Sequence, residues 1–347
     1  MSLKQPIISI DQAVHPLFLG VDVGGTNTKI GLVDNVGKTL GYTTIETEEP
    51  RGPADAMHRV VQASKQMLAS LGLTLEAVQR VGLGTPGSQD IPKGMLIAPP
   101  NHPHWHNFPI VACLEQEIGI GVSFANDANA AGWGEFWVGT GAKYSSMVLL
   151  TLGTGVGGGI IIDNKLVVGH NSFGGECGHI IVDPSPDARL CAWGGGRGHL
   201  EAYASASAVA IRAKERIAGG TRSILTNSIK EITAKSVFEA AVKEDELALE
   251  IIDSTADYLA IGITTIVHMV DPGLVVLGGA MNFGGAKSPA GQRFLAHIQK
   301  TFQQLTFEYV FKGTTIDFAS LGGDAGYLGA AGIAQADYQA AQKNAVS

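Results

Sequence analysis

The chain has 347 residues, 45% of them hydrophobic and 16% charged, which allows sizeable cores and argues against wholesale disorder. Its formal charge of −8 disfavours nonspecific contact with nucleic acid or anionic membrane, since both need Lys and Arg to displace counterions. The three cysteines (Cys113, Cys177 and Cys191) are too few for a disulfide framework; with neither a secretory leader nor a membrane-length apolar run, a cytoplasmic protein is expected.

Residues 1–16 read as a short leader. Strands are predicted over 17–23, 28–33 and 39–47. The turn joining the first two is Asp22-Val23-Gly24-Gly25-Thr26-Asn27-Thr28-Lys29. It sets a carboxylate at a strand end and small, donor-rich residues beyond it. Glycines 24 and 25 let the backbone approach a ligand, and backbone N–H groups there can donate to phosphate oxygens. Asp22 can hold Mg²⁺ directly or through water. An ordinary hairpin turn is the plainer reading of the same residues.

A helix is predicted over 54–71, where Met57, Val60, Val61, Met67 and Leu68 fall at helical spacing and Gly72 follows as a stop. A strand over 78–83, a helix over 109–117 and a strand over 122–125 come next. His102, His104 and His106 would share one side of an extended segment, but Pro103 argues for a loop. They read as surface or cleft-rim histidines.

A second unit opens at 146–152 as the first did, with an apolar strand. The run 153–159, rich in glycine and threonine, reads as a turn, and 160–163 as a returning strand. The echo suggests two related halves, each offering a glycine turn to one ligand. Helices are predicted over 205–217, 235–242, 244–269 and 289–305. A buried strand over 274–277 runs into Gly278 and Gly279, and an alanine-rich helix closes the chain near 324–340. This pattern implies mixed sheets with helices on both faces and a site in the cleft between the units.

Asp127, in Asn126-Asp127-Ala128-Asn129, sits where a strand gives way to a helix. A carboxylate there can take the proton of an alcohol during phosphoryl transfer. It can equally cap the helix, the commoner role on local sequence alone. Glu176 and His179 stand three residues apart in a glycine-rich segment, and both side chains can bond sugar hydroxyls. Glu135 reads as structural.

Taken in order, the segments 22–29, 82–90, 98–105, 126–129, 152–159, 175–179, 198–205 and 276–280 resemble the ROK family (repressors, open reading frames and sugar kinases), most of all its bacterial glucokinases. The likeness runs from about residue 17 to residue 334. It implies an α/β, actin-like ATPase fold of the ribonuclease-H-like kind, with two lobes and a central cleft. Residues 1–125 would form the small lobe, completed by the helix 324–347, and 126–323 the large one. It also implies ATP- and Mg²⁺-dependent phosphorylation of a hexose at the 6-hydroxyl. On that likeness Asp127 is the general base, and Asn101, Asn126, Glu176, His179 and Glu201 bind the sugar. Gly24, Gly25, Thr26 and Asn27 match the first phosphate loop, with Asp22 at its Mg²⁺ end. Thr151, Gly153, Thr154 and Gly155 match the second, and Gly278 and Gly279 the turn beside the adenosine. The implied partners are hexose and nucleotide, in a homodimer.

One departure stands out. The family usually carries Cys-x-Cys-Gly-x-x-Gly-Cys-x-Glu, whose cysteines join a histidine on structural Zn²⁺. Anchored on Glu201, the cysteine positions read Ala192, Gly194 and His199, and Cys191 is one place off. Structural zinc is therefore not expected. A remnant from His179, Cys191 and His199 would lack an evident fourth ligand, so packing around Trp193 would have to hold His179 and Glu201. Glucose is the leading substrate, with fructose, mannose, allose and N-acetylmannosamine as alternatives, and polyphosphate as an alternative donor. A sugar-sensing regulator is the rival class. It needs a DNA-reading module ahead of the sugar domain, and the phosphate turn already begins at Asp22.

Overall fold

The computed structural model describes residues 6–99, 102–192 and 195–346. Its first sheet is built from β1 (Leu17–Val23), β2 (Asn27–Val33), β3 (Thr39–Glu46), β4 (Val78–Thr85) and β7 (Val122–Asn126), in the order β3-β2-β1-β4-β7. The hairpin strands β1, β2 and β3 run antiparallel, while β4 and β7 lie parallel to β1. Two short strands, β5 (Ser88–Asp90) and β6 (Met95–Ala98), pair apart from it.

Helices α1 (Pro53–Ser70) and α2 (Ile110–Ile118) cover one face of this sheet. Pro53 opens α1, where its missing N–H costs nothing, and Gly72 follows the helix in a left-handed turn with φ +73°. Met57, Val60, Val61, Met67 and Leu68 form the stripe that α1 buries against Leu19, Val21, Ile30 and Leu32. Full burial of each such side chain is worth about 1.5–3 kcal/mol. The predicted and observed spans differ here by a residue at each end.

The second sheet repeats the plan. It contains β8 (Met147–Leu152), β9 (Val156–Ile162), β10 (Lys165–Leu166), β11 (Leu274–Gly278) and β12 (Thr315–Phe318), in the order β10-β9-β8-β11-β12. Again the first strands are antiparallel and the last two join in parallel. Its main core takes in α5 (Ala206–Ala218), α6 (Ala234–Ala241), α7 (Glu246–Val270) and α8 (Pro289–Leu305), which follow α4 (Glu201–Ala204) and precede the short α9 (Glu308–Gly313). The returning strand expected at 160–163 begins earlier, at Val156. Gly157, Gly158 and Gly159 belong to the strand and not to the turn.

Two helices join the halves. α3 (Asp127–Val138) follows β7 directly and lies on β9 and β8, while α10 (Ala325–Val346) packs across β1 and β4 of the first sheet. The two helices touch along their backbones: a Cβ on Gly329 would stand 1.6 Å from the Ala130 carbonyl oxygen. Glu135 of α3 is fully buried. Its carboxylate accepts from the Leu321 N–H (2.7 Å), the Thr140 N–H (3.0 Å) and the Ser320 N–H and hydroxyl (3.2 and 3.1 Å), so it ties α3 to the segment entering α10. No helix among the described residues is long and apolar enough to cross a membrane.

Candidate active site

The carboxyl ends of the parallel strands carry Asp22, Thr85 and Asn126 in one sheet and Thr151 and Gly278 in the other, the edge where open α/β sheets bind ligands. Three cavities lie there, the first sharing wall residues with each of the other two. The first, about 410 Å³, is lined by Asn126, Asp127, Glu176, His179 and Glu201, with the turn from Gly153 to Gly155. The second, about 200 Å³, is lined by Asp22, Lys29, Asp127, Thr151, Gly278 and Gly279. The third, about 490 Å³, has Phe238, Met281 and Phe283 on its walls and shares Gly153 and Thr154 with the first. Asp127, Ala128, Thr151 and Gly279 face both of the first two cavities.

Asp127 is the first residue of α3, and the cap belongs to its neighbour. The Asn126 side chain accepts from the Ala128 N–H at 2.9 Å. The capping role considered for Asp127 from sequence is thus taken by Asn126. Asp127 accepts from the same N–H at 2.9 Å and otherwise faces the cavities. Burial first, then the negative charges of Asp22 and Glu176, push its carboxyl up to about 7. A base with that affinity exchanges protons readily near neutrality.

Asp22, next to last in β1, stands opposite Lys29 of β2. Burial raises its carboxyl, and the Lys29 ammonium at 3.5 Å opposes the rise. A carboxylate on a cavity wall suits a hard cation that prefers oxygen ligands. The hairpin tip from Gly25 to Asn27 is exposed, and none of Gly24, Gly25, Thr26 and Asn27 lines these three cavities. The Gly24 N–H is used within the turn, donating to the Asn27 carbonyl at 3.1 Å. The second turn lies deeper. Ala206 N–H donates to the Gly153 carbonyl (2.8 Å), and the Ser207 hydroxyl to that of Thr154 (2.9 Å), so the start of α5 fixes the turn. Gly279 adopts φ +87°, and a Cβ there would lie 2.2 Å from the Leu152 carbonyl oxygen, so only glycine fits. Gly278 and Gly279 line the second cavity, whereas the third begins at Ala280.

Glu176 keeps solvent access at the mouth of the first cavity. Partial burial and the charge of Glu201 raise its carboxyl, against the pull of His179. Glu201 is buried: one oxygen accepts from the Val156 N–H at 2.8 Å, and the other lies 3.3 Å from the Cys191 thiol that donates to it. The sequence-predicted Asn101 lies outside the described residues, as does Trp193.

His179, Cys191 and His199 converge despite the shifted cysteine spacing. Their ligand atoms lie within 4.8 Å of one another, and the two Nδ1 atoms are 3.1 Å apart. These donors suit three corners of a tetrahedral zinc site; a fourth ligand is not supplied by the described residues that form the cluster. Of the histidines of 102–106, His104 and His106 are exposed as expected and His102 is not. Pro103–Trp105 is a short 3-10 turn and not extended. His102 is 1% exposed and packs on Trp105, while His104 bonds Glu49 at the surface. Sequence reasoning gave no role to Lys29, whose place in the second cavity depends on the pairing of β1 with β2.

The family model described as the ROK family matches residues 18–337. A glucokinase of Thermotoga maritima is 35% identical over 320 residues, 91% of this chain and 96% of that protein. A solved ROK hexokinase from Thermus thermophilus has TM-score 0.80 at 28% identity, covering 93% of this chain and 99% of that one. A ROK family glucokinase from Streptomyces griseus, solved with glucose and AMPPNP, has TM-score 0.72 at 33% identity, covering 92% and 99%.

Proposed function

The chain belongs to the ROK family, and on that footing we propose that it is a glucokinase, moving the γ-phosphoryl group of ATP to the 6-hydroxyl of glucose. The observation that carries the reading is the position of Asp127. Its carboxyl faces the cavity of hydroxyl-binding side chains on one side and the cavity holding Asp22 and Lys29 on the other.

In this reading Asn126, Glu176, His179 and Glu201 orient the sugar in the first cavity, and Asn101 joins them. Asp127 accepts the 6-hydroxyl proton as the sugar oxygen bonds to the γ-phosphorus. The bond from that phosphorus to the β–γ bridging oxygen breaks, and ADP departs. The transition state is loose, so alignment and charge neutralisation matter more than covalent help. Bound Mg²⁺ would neutralise phosphate charge, with Asp22 as the protein group to hold it. The turn from Thr151 to Gly155 approaches the phosphates, with Gly278 and Gly279 opposite, and the apolar third cavity suits an adenine ring. The hairpin residues Gly24, Gly25, Thr26 and Asn27 would reach the phosphates if the cleft closes. His179, Cys191 and His199 are the residues that would hold a zinc ion. The family resemblance carries with it a homodimer, a cytoplasmic location and supply of hexose 6-phosphate to glycolysis.

The glucose and AMPPNP bound to the Streptomyces griseus relative support both substrates. The test is ADP release with each of glucose, fructose, mannose, allose and N-acetylmannosamine, and hexose 6-phosphate formation with polyphosphate in place of ATP. Glucose should give the highest kcat/KM. ADP release independent of any hexose would overturn the kinase reading, and a higher value with another sugar would overturn the choice of glucose.

A further inference from the structure

Lys29 is the one Lys or Arg among the described residues lining the first two cavities, which together hold Asp22, Asp127, Glu135, Glu176 and Glu201. These five carboxyl groups repel a polyanion, and a phosphoryl group cannot approach Asp127 without positive charge beside it. The Lys29 ammonium is only partly engaged. It donates to the Gly323 carbonyl at 2.8 Å and stands 3.5 Å from the nearer Asp22 oxygen, at the outer limit of a hydrogen bond. An ammonium has three N–H donors, so at least one is left for a ligand. Its side chain is 25% exposed, on the wall of a cavity about 200 Å³ in volume.

We infer that Lys29 is a phosphate-binding residue, which meets the β- and γ-phosphate oxygens of the nucleotide through the ammonium that otherwise rests between Asp22 and Gly323. The inference rests on the kinase reading for the identity of its ligand. Lys29 neither gains nor loses a proton in the transfer. Its charge offsets the charge gathering on the bridging oxygen as that oxygen leaves with ADP.

The experiment measures binding of ADP, adenosine and glucose to the full chain by calorimetry, without Mg²⁺, alongside steady-state kinetics with it. Lys29→Met should weaken ADP roughly 10- to 100-fold, the range for a charge-assisted bond, and leave adenosine and glucose unchanged. Lys29→Arg should retain most of the ADP affinity. Lys29→Gln can still donate to Gly323 without the charge; it should behave like Lys29→Met and serves if that variant does not fold. In turnover, KM for ATP should rise and kcat fall, with KM for glucose unmoved. Unchanged ADP affinity overturns the inference, and so does an equal loss for ADP, adenosine and glucose, the result of a purely structural role. If wild type phosphorylates no hexose while Lys29→Met still loses ADP selectively, the kinase reading fails and the phosphate contact stands.

Discussion

Gly326 leaves no room for a side chain against Asp22: a Cβ there would lie 2.3 Å from Asp22 Oδ2 and 2.8 Å from Oδ1. The second residue of α10 therefore backs the carboxylate at the end of β1 and fixes its direction into the second cavity.

Gly326→Ala should displace that carboxylate while improving local helix propensity. A shift of this kind, near 1 Å at a reacting group, typically costs on the order of 100-fold in rate. The expected outcome is a fall of roughly that size in kcat/KM for ATP, with glucose affinity preserved. Kinetics over a range of Mg²⁺ concentrations, with glucose binding followed in parallel, would check it.

Asp127→Asn should still bind glucose yet lose about 10²- to 10⁴-fold in turnover, the usual worth of a positioned base. The same variant should melt at a higher temperature than wild type at pH 8. The folded carboxyl titrates at about 7 and an unfolded one near 3.8, so above 7 the native state carries the full penalty of a buried charge. The advantage of Asn should shrink as pH falls from 7 and disappear below 4. Calorimetric scans at pH 4, 6 and 8 read it directly; a gap that widens toward acid would contradict the assignment.

Turnover in the wild type should fall on the acid side of about pH 7, as Asp127 takes up its proton. Glu176 is one of the negative charges that hold this value up. Glu176→Gln should therefore move the acid limb of kcat to lower pH. The pH profile of kcat at saturating glucose and ATP measures the displacement and its sign.

Glu135→Gln replaces a buried acceptor served by four donors with an amide that brings N–H groups of its own. The expected loss of stability is about 1–3 kcal/mol. Urea unfolding should report it as a lower midpoint with an unchanged slope. Because Glu135 lies about two turns along α3 from Asp127, KM for glucose should change little.

Much of this architecture could be read from side-chain spacing. The stripe of α1 and the long apolar pattern of α7 bury one face each, and such periodicity survives folding. The glycines 157–159 misled because glycine was taken as strand punctuation. In the folded chain their flatness lets α3 and Cys177 press on β9: a Cβ on Gly159 would lie 3.2 Å from Gly132 Cα, and one on Gly158 2.4 Å from Cys177 Sγ. β12 is four residues long and alternates exposed with buried, too brief a signal to separate from a loop. Asp127 and Asn126 both suit a helix start by composition. Which of them caps is settled by backbone direction at the end of β7, and sequence alone does not give it. His179, Cys191 and His199 could be named together from sequence, but their meeting depends on the path between them, which includes Gly195 and Gly196 at positive φ.

The first compartment shares Asp127 and Thr151 with the second and Gly153 and Thr154 with the third, so one molecule can reach from it into either. A hexose tethered through its 6-oxygen to adenosine by a short polyphosphate chain would follow the route of the transferred group from acceptor to donor. Such a two-headed inhibitor would draw on both substrate affinities at once, and its best tether length would serve as a ruler for the distance between the sugar and adenosine sites.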